Sequence, residues 1–206
     1  MRLVFRFLQL MFRMGFFLLF RIQVQGREHI PRHGKLLLAA NHVSAYDPFV
    51  IGALVPRGLY FLAKKELFQN PVVGVILRVV LHAVPVDRRD IGHTTVRHIN
   101  HLLENGEAIL LFPEGTRSRS GQIGAGKSGV GMIAAANQAD ILPVRVEGLF
   151  GKRASLWRRP RIKVIFGSII SVAPFLKNGT ATKEIYRQIA STVVDRIRVM
   201  GTALAA

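Results

Sequence analysis

The chain has no cysteine among its 206 residues, and this absence excludes several kinds of chemistry. Disulfide bonds, thiol nucleophiles and cysteine-ligated metals all require that side chain. Seven histidines are present, but none stands in a metal-binding spacing such as H-E-x-x-H. His98 and His101 lie three residues apart without a carboxylate ligand beside them. The sequence therefore predicts neither a metal ion nor another cofactor.

Acidic residues are scarce, with 12 Asp and Glu against 29 Lys and Arg, and the formal net charge is +17. Such an excess of positive charge indicates an anionic partner. Nucleic acid and an anionic membrane surface both meet this requirement. The sequence has no RNP-type aromatic motif, zinc-finger spacing or obvious recognition helix. Half of the residues are apolar and the mean hydropathy is positive, so we expect a membrane surface and no nucleic acid.

The sequence also lacks an uninterrupted apolar run of about 20 residues, the length that a membrane-spanning helix needs. In residues 1–21 the longest such run is 14–20, and no signal-peptide cleavage site follows it. Drawn as a helix, this segment places its polar side chains on one narrow stripe: Arg2, Arg6, Gln9 and Arg13. The pattern predicts an interfacial helix that lies in the headgroup plane. We expect a peripheral or monotopic protein at the cytoplasmic face of the cell membrane. The alternative is an ordinary helix packed on the core.

The remaining residues, 22–206, are enough for one domain with its own core. Short apolar runs predict strands at 22–25, 36–40, 59–63, 82–86, 107–112, 141–146 and 162–166. Periodicity and helix-start signals predict helices at 48–55, 71–80, 94–104, 130–138 and 183–200. Strands that alternate with helices indicate a largely parallel mixed sheet covered by helices. We therefore expect a single-domain α/β fold with an N-terminal amphipathic membrane-interface helix.

A polar loop at residues 41–48 carries the first candidate catalytic pair. It follows a predicted strand, and the Asp47-Pro48 dipeptide is typical of a helix start. Asp47 can accept a hydrogen bond from one imidazole nitrogen of His42, which leaves the other nitrogen to take a proton from a substrate. From this stretch alone the alternative stays open that Asp47 only caps the helix and His42 is an ordinary loop histidine.

Polar clusters follow four of the predicted strands, at 41–47, 64–66, 87–89 and 113–118. Ligands of an open parallel sheet gather beyond the carboxyl ends of its strands. One imidazole, two carboxylates and several cations would therefore converge on one edge. The forked guanidinium groups of Arg88 and Arg117 suit a phosphate, and Lys64 would add a point charge. Taken singly, each cation is also explained as a solvated surface charge.

Four sequence blocks resemble, in order and spacing, those of the glycerolipid acyltransferases, in particular the bacterial 1-acyl-glycerol-3-phosphate acyltransferase family. The blocks are Asn41-His42-x-x-x-x-Asp47, Val84-Pro85-Val86-Asp87-Arg88, Phe112-Pro113-Glu114-Gly115-Thr116-Arg117-Ser118 and Ile141-Leu142-Pro143-Val144. An isolated H-x-x-x-x-D pattern is weakly specific, whereas all four blocks with F-P-E-G-T-R intact are strongly specific. The resemblance covers roughly residues 22–170 and makes 22–206 an acyltransferase domain.

The resemblance implies a role for each matching residue. His42 is implied as the general base and Asp47 as the carboxylate that orients it. The implied substrate-binding residues are Lys64, Arg88, Glu114, Gly115, Thr116, Arg117 and Lys127. Arg117 would contact the acceptor's phosphate. The family usually has a Phe-Lys pair where this chain has Gly126-Lys127.

The implied reaction moves a fatty acyl group from acyl-CoA or acyl carrier protein to 1-acyl-glycerol-3-phosphate, giving phosphatidic acid. His42 would deprotonate the acceptor's free hydroxyl as that oxygen attacks the thioester. No acyl-enzyme is needed, in agreement with the absence of a cysteine or G-x-S-x-G nucleophile. Backbone N–H groups near Asp47-Pro48 are the candidate donors to the oxyanion. Another lysophospholipid is the alternative acceptor, because it would use the same base.

Two interpretations from other classes compete with acyl transfer. Residues 121–128 satisfy the G-x-x-x-x-G-K-[ST] pattern of a phosphate-binding P-loop, which would make the chain a nucleotide-binding protein. A P-loop follows its strand directly, whereas here the strand is predicted to end at Phe112 and a polar stretch intervenes. The other alternative is a non-catalytic protein that coats anionic surfaces. Its cations would be those around Trp157, namely Lys152, Arg153, Arg158, Arg159, Arg161 and Lys163.

Overall fold

The computed structural model describes residues 10, 11, 14, 15, 17–80, 82–86, 93–152, 157, 159–176 and 181–202, with backbone alone at 79, 80, 93, 94 and 202. The strands are β1 (Arg21–Gln25), β2 (Leu36–Ala40), β3 (Leu59–Lys64), β4 (Ala83–Val86), β5 (Ala108–Leu111), β6 (Asp140–Glu147) and β7 (Arg161–Phe166). The α-helices are α1 (Asp47–Leu54), α2 (Pro71–Val75), α3 (His93–Glu104), α4 (Gly129–Asn137) and α5 (Lys183–Thr202). Short 3-10 helices lie at Arg27–His29, Lys65–Phe68 and Ala173–Leu176.

The described strands form one sheet in the order β1-β7-β6-β2-β5-β3-β4. Neighbouring strands are parallel except β6 and β7, which are antiparallel. The predicted α/β class with a largely parallel mixed sheet is thereby confirmed. Strands β2 to β6 share a direction, so their carboxyl ends lie together at what we call the carboxyl edge. Because β7 and β1 run the opposite way, their amino ends lie at this same edge.

The central strand β2 is apolar throughout because both of its faces are covered. Leu36 and Leu38 belong to one buried cluster, which also contains the inward side chains of α1. Leu37 and Ala39 belong to a second cluster with the apolar side chains of α3, α4 and α5. Side chains of a strand alternate between faces, and a strand covered on both faces has no polar alternation. The sheet thus separates two hydrophobic layers, and the last residues of β2 lie between them.

Arg57 cross-links the loops at the opposite edge of the sheet, which we call the amino edge. Its guanidinium donates to the carbonyl oxygens of Pro31 (3.2 Å), Gly34 (2.8 Å) and Gly106, which lie in the loops before β2 and β5. Burial lowers the pKa of Arg57, and the nearby charge of Glu107 partly opposes this effect. These contacts join the loops that precede three strands, so hydrogen-bonded loops cover the amino edge. The polar clusters singled out from the sequence lie at the other edge.

The helix predicted at 71–80 is interrupted. It begins as α2, capped by Asn70, whose side chain accepts from the backbone N–H groups of Val72 and Val73 (3.1 Å each). It continues as a π-helical turn over Ile76–Val80. The segment consists largely of β-branched residues with Gly74 among them, and these are poor helix formers. A regular α-helix is therefore maintained for little more than one turn.

The N-terminal segment is described only in part. Residues 10, 11, 14, 15 and 17–19 are helical, whereas Arg2, Arg6 and Arg13 lie outside the described residues. Five of the helical side chains are exposed and apolar: Leu10, Met11, Met14, Phe17 and Leu18. Among the described residues no helix combines the length and apolarity needed to cross a bilayer. The interfacial helix at 1–21, and its boundary with a domain at 22–206, remain predictions.

Gly131 allows the close approach of α4 to α5. A methyl group added there would lie 2.1 Å from the carbonyl oxygen of Tyr186. We therefore predict that Gly131→Ala lowers the free energy of unfolding by about 1–3 kcal/mol, the usual cost of overpacking. Gly52→Ala is the matched control, because no atom lies within 4 Å of the added methyl. Alanine's better helix propensity should make that variant more stable by about 0.5–1 kcal/mol in urea unfolding. Equal stability of the two variants would contradict the packing argument.

Candidate active site

His42 and Asp47 form the pair that their spacing predicted. His42 follows the end of β2 and Asp47 is the first residue of α1, and both are buried. The imidazole Nδ1 lies 2.8 Å from Asp47 Oδ2. A carboxylate oxygen that already accepts hydrogen bonds requires the ring nitrogen to be the donor, so Nδ1 carries the proton. The other ring nitrogen, Nε2, is then the acceptor, as a general base requires.

The carboxylate of Asp47 is directed at the loop that holds His42. Besides the imidazole, Oδ2 accepts from the backbone N–H groups of Val43 (2.7 Å) and Ser44 (2.8 Å). Tyr46, rather than Asp47, is the N-cap of α1, and no side chain caps this helix. Asp47 therefore orients residues 41–46, the candidate catalytic loop, instead of satisfying the amides of its own helix.

Two further contacts fix the position of His42. The side chain of Asn41 extends the pairing of β2 with β6, donating to Val146 O (2.9 Å) and accepting from Val146 N (2.8 Å). The ring of Phe112, just after β5, stacks on the imidazole with centroids 3.9 Å apart and planes 17° apart. Backbone pairing on one side and ring stacking on the other leave the imidazole little freedom to rotate.

Glu114 is buried and holds two loops together. Its Oε1 accepts from the backbone N–H of His42 (3.1 Å), and its Oε2 accepts from the backbone N–H of Gly124 (2.9 Å). The carbonyl of His42 in turn accepts from Ser118 N (2.7 Å). The family resemblance implies that Glu114 binds the acceptor. In the structure both of its oxygens contact backbone amides, so its direct effect is on the position of His42.

The glycine-rich segment 121–129 is held from its other side by α5. The Arg198 guanidinium donates to the carbonyl oxygens of Ile123 (3.2 Å) and Gly124 (2.9 Å). Asp195 accepts from the same guanidinium at 2.9 Å and orients it. At Gly126 an added Cβ would lie 3.0 Å from the carbonyl oxygen of Ala190, so α5 leaves little room for a side chain at this position. Sequence reasoning missed Arg198, because nothing local marks a contact across 74 residues.

An apolar pocket of about 390 Å³ opens beside His42. Its walls are mostly aliphatic side chains from β3, β4, β5 and α4: Leu62, Val86, Leu110, Leu111, Val130 and Ile133. His42, Gly115 and Lys127 line it as well, so the polar groups of the site adjoin its apolar interior. The sequence predicts these strands and this helix, but it does not predict the pocket between them. The arrangement suits a substrate with an apolar chain and a polar reacting group.

The predicted substrate-binding residues are only partly brought together. An added Cβ at Gly115 (φ +70°) would lie 3.2 Å from Lys127 Nζ, so this ammonium group lies over the turn after β5. Thr116 and Arg117 follow on the same loop and are exposed. Lys64 ends β3 at the carboxyl edge and is exposed as well. Arg88 lies outside the described residues. A cluster of His, Asp and Glu fit to hold a metal ion is not found within the described part of the chain.

The amides at the start of α1 are already engaged. Asp47 N donates to Ser44 O at 3.3 Å, and Phe49 N donates to Tyr46 O at 3.1 Å. Pro48 has no N–H group. The turn that opens the helix therefore uses these two amides itself, and the oxyanion donors near Asp47-Pro48 remain a prediction.

The P-loop pattern at 121–128 does not have P-loop structure. Strand β5 ends at Leu111, so a long turn separates it from this segment. Gly124 N donates to Glu114, and Lys127 N donates to Pro113 O at 2.8 Å. A P-loop directs such amides at a phosphate. Here they hold the segment against the loop after β5.

Comparison with known proteins identifies the class to which this fold and site belong. Residues 21–147 match the family model described as Acyltransferase, which is more than half of the chain. A 1-acyl-sn-glycerol-3-phosphate acyltransferase of Bacillus subtilis is 31% identical over 155 residues, covering 75% of this chain and 76% of that protein. The chain therefore belongs to the acyltransferase family, and the predicted membership and enzyme class are confirmed.

Other relatives agree with this assignment. A Borreliella burgdorferi protein with the same name is 32% identical over 126 residues, which cover 60% of this chain and half of that protein's length (50%). The crystal structure of the 1-acyl-sn-glycerophosphate (LPA) acyltransferase PlsC from Thermotoga maritima has a TM-score of 0.70 at 24% identity. That alignment covers 96% of this chain and 80% of the other, and it confirms the fold.

The position of Glu114 leads to a prediction about its two oxygens. In Glu114→Gln the amide nitrogen cannot accept, so either His42 N or Gly124 N faces a donor. An unsatisfied buried group costs about 1–3 kcal/mol, so we expect acyl-transfer turnover to fall roughly 10- to 100-fold. Glu104→Gln, at an exposed position of α3, is the matched control and should keep its turnover. Unchanged turnover in folded Glu114→Gln would exclude this positioning role.

Proposed function

We propose that this acyltransferase transfers a fatty acyl group from acyl-CoA or acyl carrier protein to the free hydroxyl of 1-acyl-glycerol-3-phosphate, giving phosphatidic acid. The observation that carries the proposal is the His42–Asp47 pair at 2.8 Å beside an apolar pocket. The names of the Bacillus subtilis and Borreliella burgdorferi relatives support this acceptor. The enzyme would be an O-acyltransferase of phospholipid biosynthesis.

The mechanism uses one base and no protein nucleophile. His42 Nε2 takes the proton of the acceptor hydroxyl as that oxygen bonds to the thioester carbonyl carbon. The tetrahedral intermediate then collapses, the C–S bond breaks, and the imidazolium returns its proton to the leaving thiolate. Asp47 stabilises the imidazolium through Nδ1. General-base assistance of this kind is typically worth about 10²–10⁴-fold.

The surroundings of the pair suit the two substrates. The aliphatic walls of the pocket would accept an acyl chain, and the reacting carbonyl would then lie near His42. Lys127 lies over Gly115 at the same wall, and Arg117 is exposed on the adjoining loop. Both are cations, and a forked guanidinium binds phosphate in two parallel hydrogen bonds. We therefore assign the acceptor's phosphate to Arg117, with Lys127 as the nearer charge.

The acceptor is a membrane lipid, so we place the enzyme at the cytoplasmic face of the membrane as a peripheral protein. Residues 1–21 would lie in the headgroup plane. The exposed apolar side chains of its described helical residues support this placement, as does the net charge of +17. Both proposed acyl donors are soluble thioesters, which would approach from the aqueous side.

The first prediction concerns the catalytic pair. His42→Ala removes the base, and we expect turnover to fall by roughly 10²–10⁴-fold. Asp47→Asn should also lower turnover strongly, but less than His42→Ala does, because it removes only the charge that stabilises the imidazolium. The assay is transfer of labelled acyl-CoA or acyl carrier protein to a panel of lysophospholipids, with circular dichroism to confirm folding.

The same panel tests the acceptor. Highest turnover with 1-acyl-glycerol-3-phosphate supports the proposal. A preference for another lysophospholipid would show that the proposed acceptor is wrong but would leave the proposed mechanism intact. Near wild-type turnover in folded His42→Ala would refute the mechanism. ATP hydrolysis with no acyl transfer would instead favour the nucleotide-binding alternative.

The second prediction concerns Arg117. Arg117→Lys keeps the charge but removes the fork, so it should raise the KM for the acceptor more than the KM for the donor. Arg119→Lys is the matched control, since Arg119 is an exposed arginine on the same loop. An unchanged acceptor KM in Arg117→Lys would remove this residue from the phosphate site.

A further inference from the structure

The segment that follows β3 presents an unusually apolar surface to solvent. Five aliphatic side chains within ten residues are exposed: Leu67, Val72, Val73, Val75 and Ile76. We call these five side chains the α2 surface. Val72 and Val75 are the most exposed of them, at 68% and 60%. Contiguous exposed apolar patches mark interaction sites more often than isolated exposed residues do.

The α2 surface is held on a well-packed base. Phe68 and Leu77, on the inner side of the same segment, pack against the hydrophobic cluster that contains α1. Gly74 is buried, and an added Cβ would lie 3.0 Å from the carbonyl oxygen of Phe68. Asn70 caps the helix through two backbone N–H groups. The exposed side chains therefore point outward from a fixed segment that already buries its other face.

The segment that carries the α2 surface leaves the sheet at the carboxyl edge, where His42 also lies. The segment begins directly after the last residue of β3, Lys64. The exposed N-terminal helical residues reach this edge as well, because they precede the amino end of β1. There Phe20 contacts Tyr46 of the catalytic loop, with ring centroids 5.6 Å apart. Trp157, which precedes β7, is 96% exposed near the same edge.

The charges beside the α2 surface are complementary to an anionic surface. Within the described residues 64–78 the cations are Lys64, Lys65 and Arg78, the one carboxylate is Glu66, and all four are exposed. Arg78 lies over the Phe68 ring at 5.3 Å from its centroid, which holds this cation beside the exposed aliphatics. Aliphatic side chains with a basic border are typical of proteins that insert shallowly into anionic bilayers. A soluble acidic partner would not need so many exposed valines.

We infer that the α2 surface is a second membrane-contact element, which inserts at the headgroup–acyl boundary of an anionic bilayer independently of residues 1–21. The inference rests on the proposed function, because a lipid acceptor must reach His42 from the bilayer. Two contacts on opposite sides of the catalytic loop would hold the carboxyl edge against the membrane. The acceptor would then enter between them without leaving the lipid phase.

The test is a double substitution in the full chain, Val72→Ser with Val75→Ser. Binding is measured by co-sedimentation with vesicles of phosphatidylcholine and phosphatidylglycerol. The loss of two apolar side chains that would be buried in the bilayer should weaken binding by about tenfold or more. The difference should persist at about 1 M salt, where charges are screened within about 3 Å. Turnover on a detergent-dispersed acceptor should stay at the wild-type level.

The matched control carries the same change at two exposed aliphatic side chains outside the α2 surface. Ile169→Ser with Val199→Ser removes two aliphatics that are 41% and 55% exposed, after β7 and on α5. This control should bind vesicles as the wild type does. Equal vesicle binding by the Val72/Val75 variant and the wild type would overturn the inference. So would a change from dimer to monomer in that variant with vesicle binding unaltered, since the surface would then join two copies of the chain.

A probe of depth gives a measurement that does not depend on weakened binding. The chain has one tryptophan, so Trp157→Phe provides a silent background for Val72→Trp. Quenching of the new tryptophan by brominated lipid is expected. Ile169→Trp in the same background should not be quenched, because Ile169 follows β7 at the amino edge of the sheet. An unquenched Val72→Trp on bound vesicles would refute insertion. If the wild type bound vesicles through this surface but transferred no acyl group, the proposed function would fail and the membrane contact would stand.

Discussion

A carboxylate that is removed from water must find hydrogen-bond donors inside the protein, and the Asp47 carboxylate finds them in the loop that carries His42. Asp47 is fully buried, and three donors converge on its Oδ2: the imidazole and the amides of Val43 and Ser44. Leaving a buried acceptor without its donors typically costs about 1–3 kcal/mol, and more for a charged group. Residues 42–44 must therefore wrap around one oxygen atom. The orientation of the imidazole follows from this constraint.

Glu114 is a second buried carboxylate whose oxygens accept hydrogen bonds from backbone amides. Its two oxygens join the amide of His42 to the amide of Gly124, and Arg198 of α5 holds the carbonyl of Gly124. A helix beyond the family-matched residues 21–147 thus contacts the loop that contacts His42. Substitutions on α5 should therefore affect turnover through geometry, although none of the described side chains of that helix lines the pocket.

The sequence was enough to predict the fold class because each strand and helix carries its own signal. Apolar runs such as 36–40 have no polar alternation, which is how strands covered on both faces appear. The order of the strands and the reversal of β7 against β6 depend on contacts between distant segments, and no local pattern encodes them. His42 and Asp47 were found because their spacing is local. The roles of Glu114 and Arg198 were missed, because their partners lie 72 and 74 residues away.

The site can be reached by apolar chains from both faces of the sheet, because a hydrophobic layer covers each face. The pocket beside His42 draws on Leu62, Val86 and Ile133, which belong to the layer of α3, α4 and α5. Phe20 and Leu77, which anchor the exposed apolar segments, belong to the layer of α1 on the other face. His42 follows the end of β2, the strand that separates these layers. On the proposed reaction, which joins two substrates that both carry acyl chains, one chain would enter the enclosed pocket. The other would stay in the bilayer on the opposite face, so the two reacting groups would meet at the imidazole without either chain crossing the sheet.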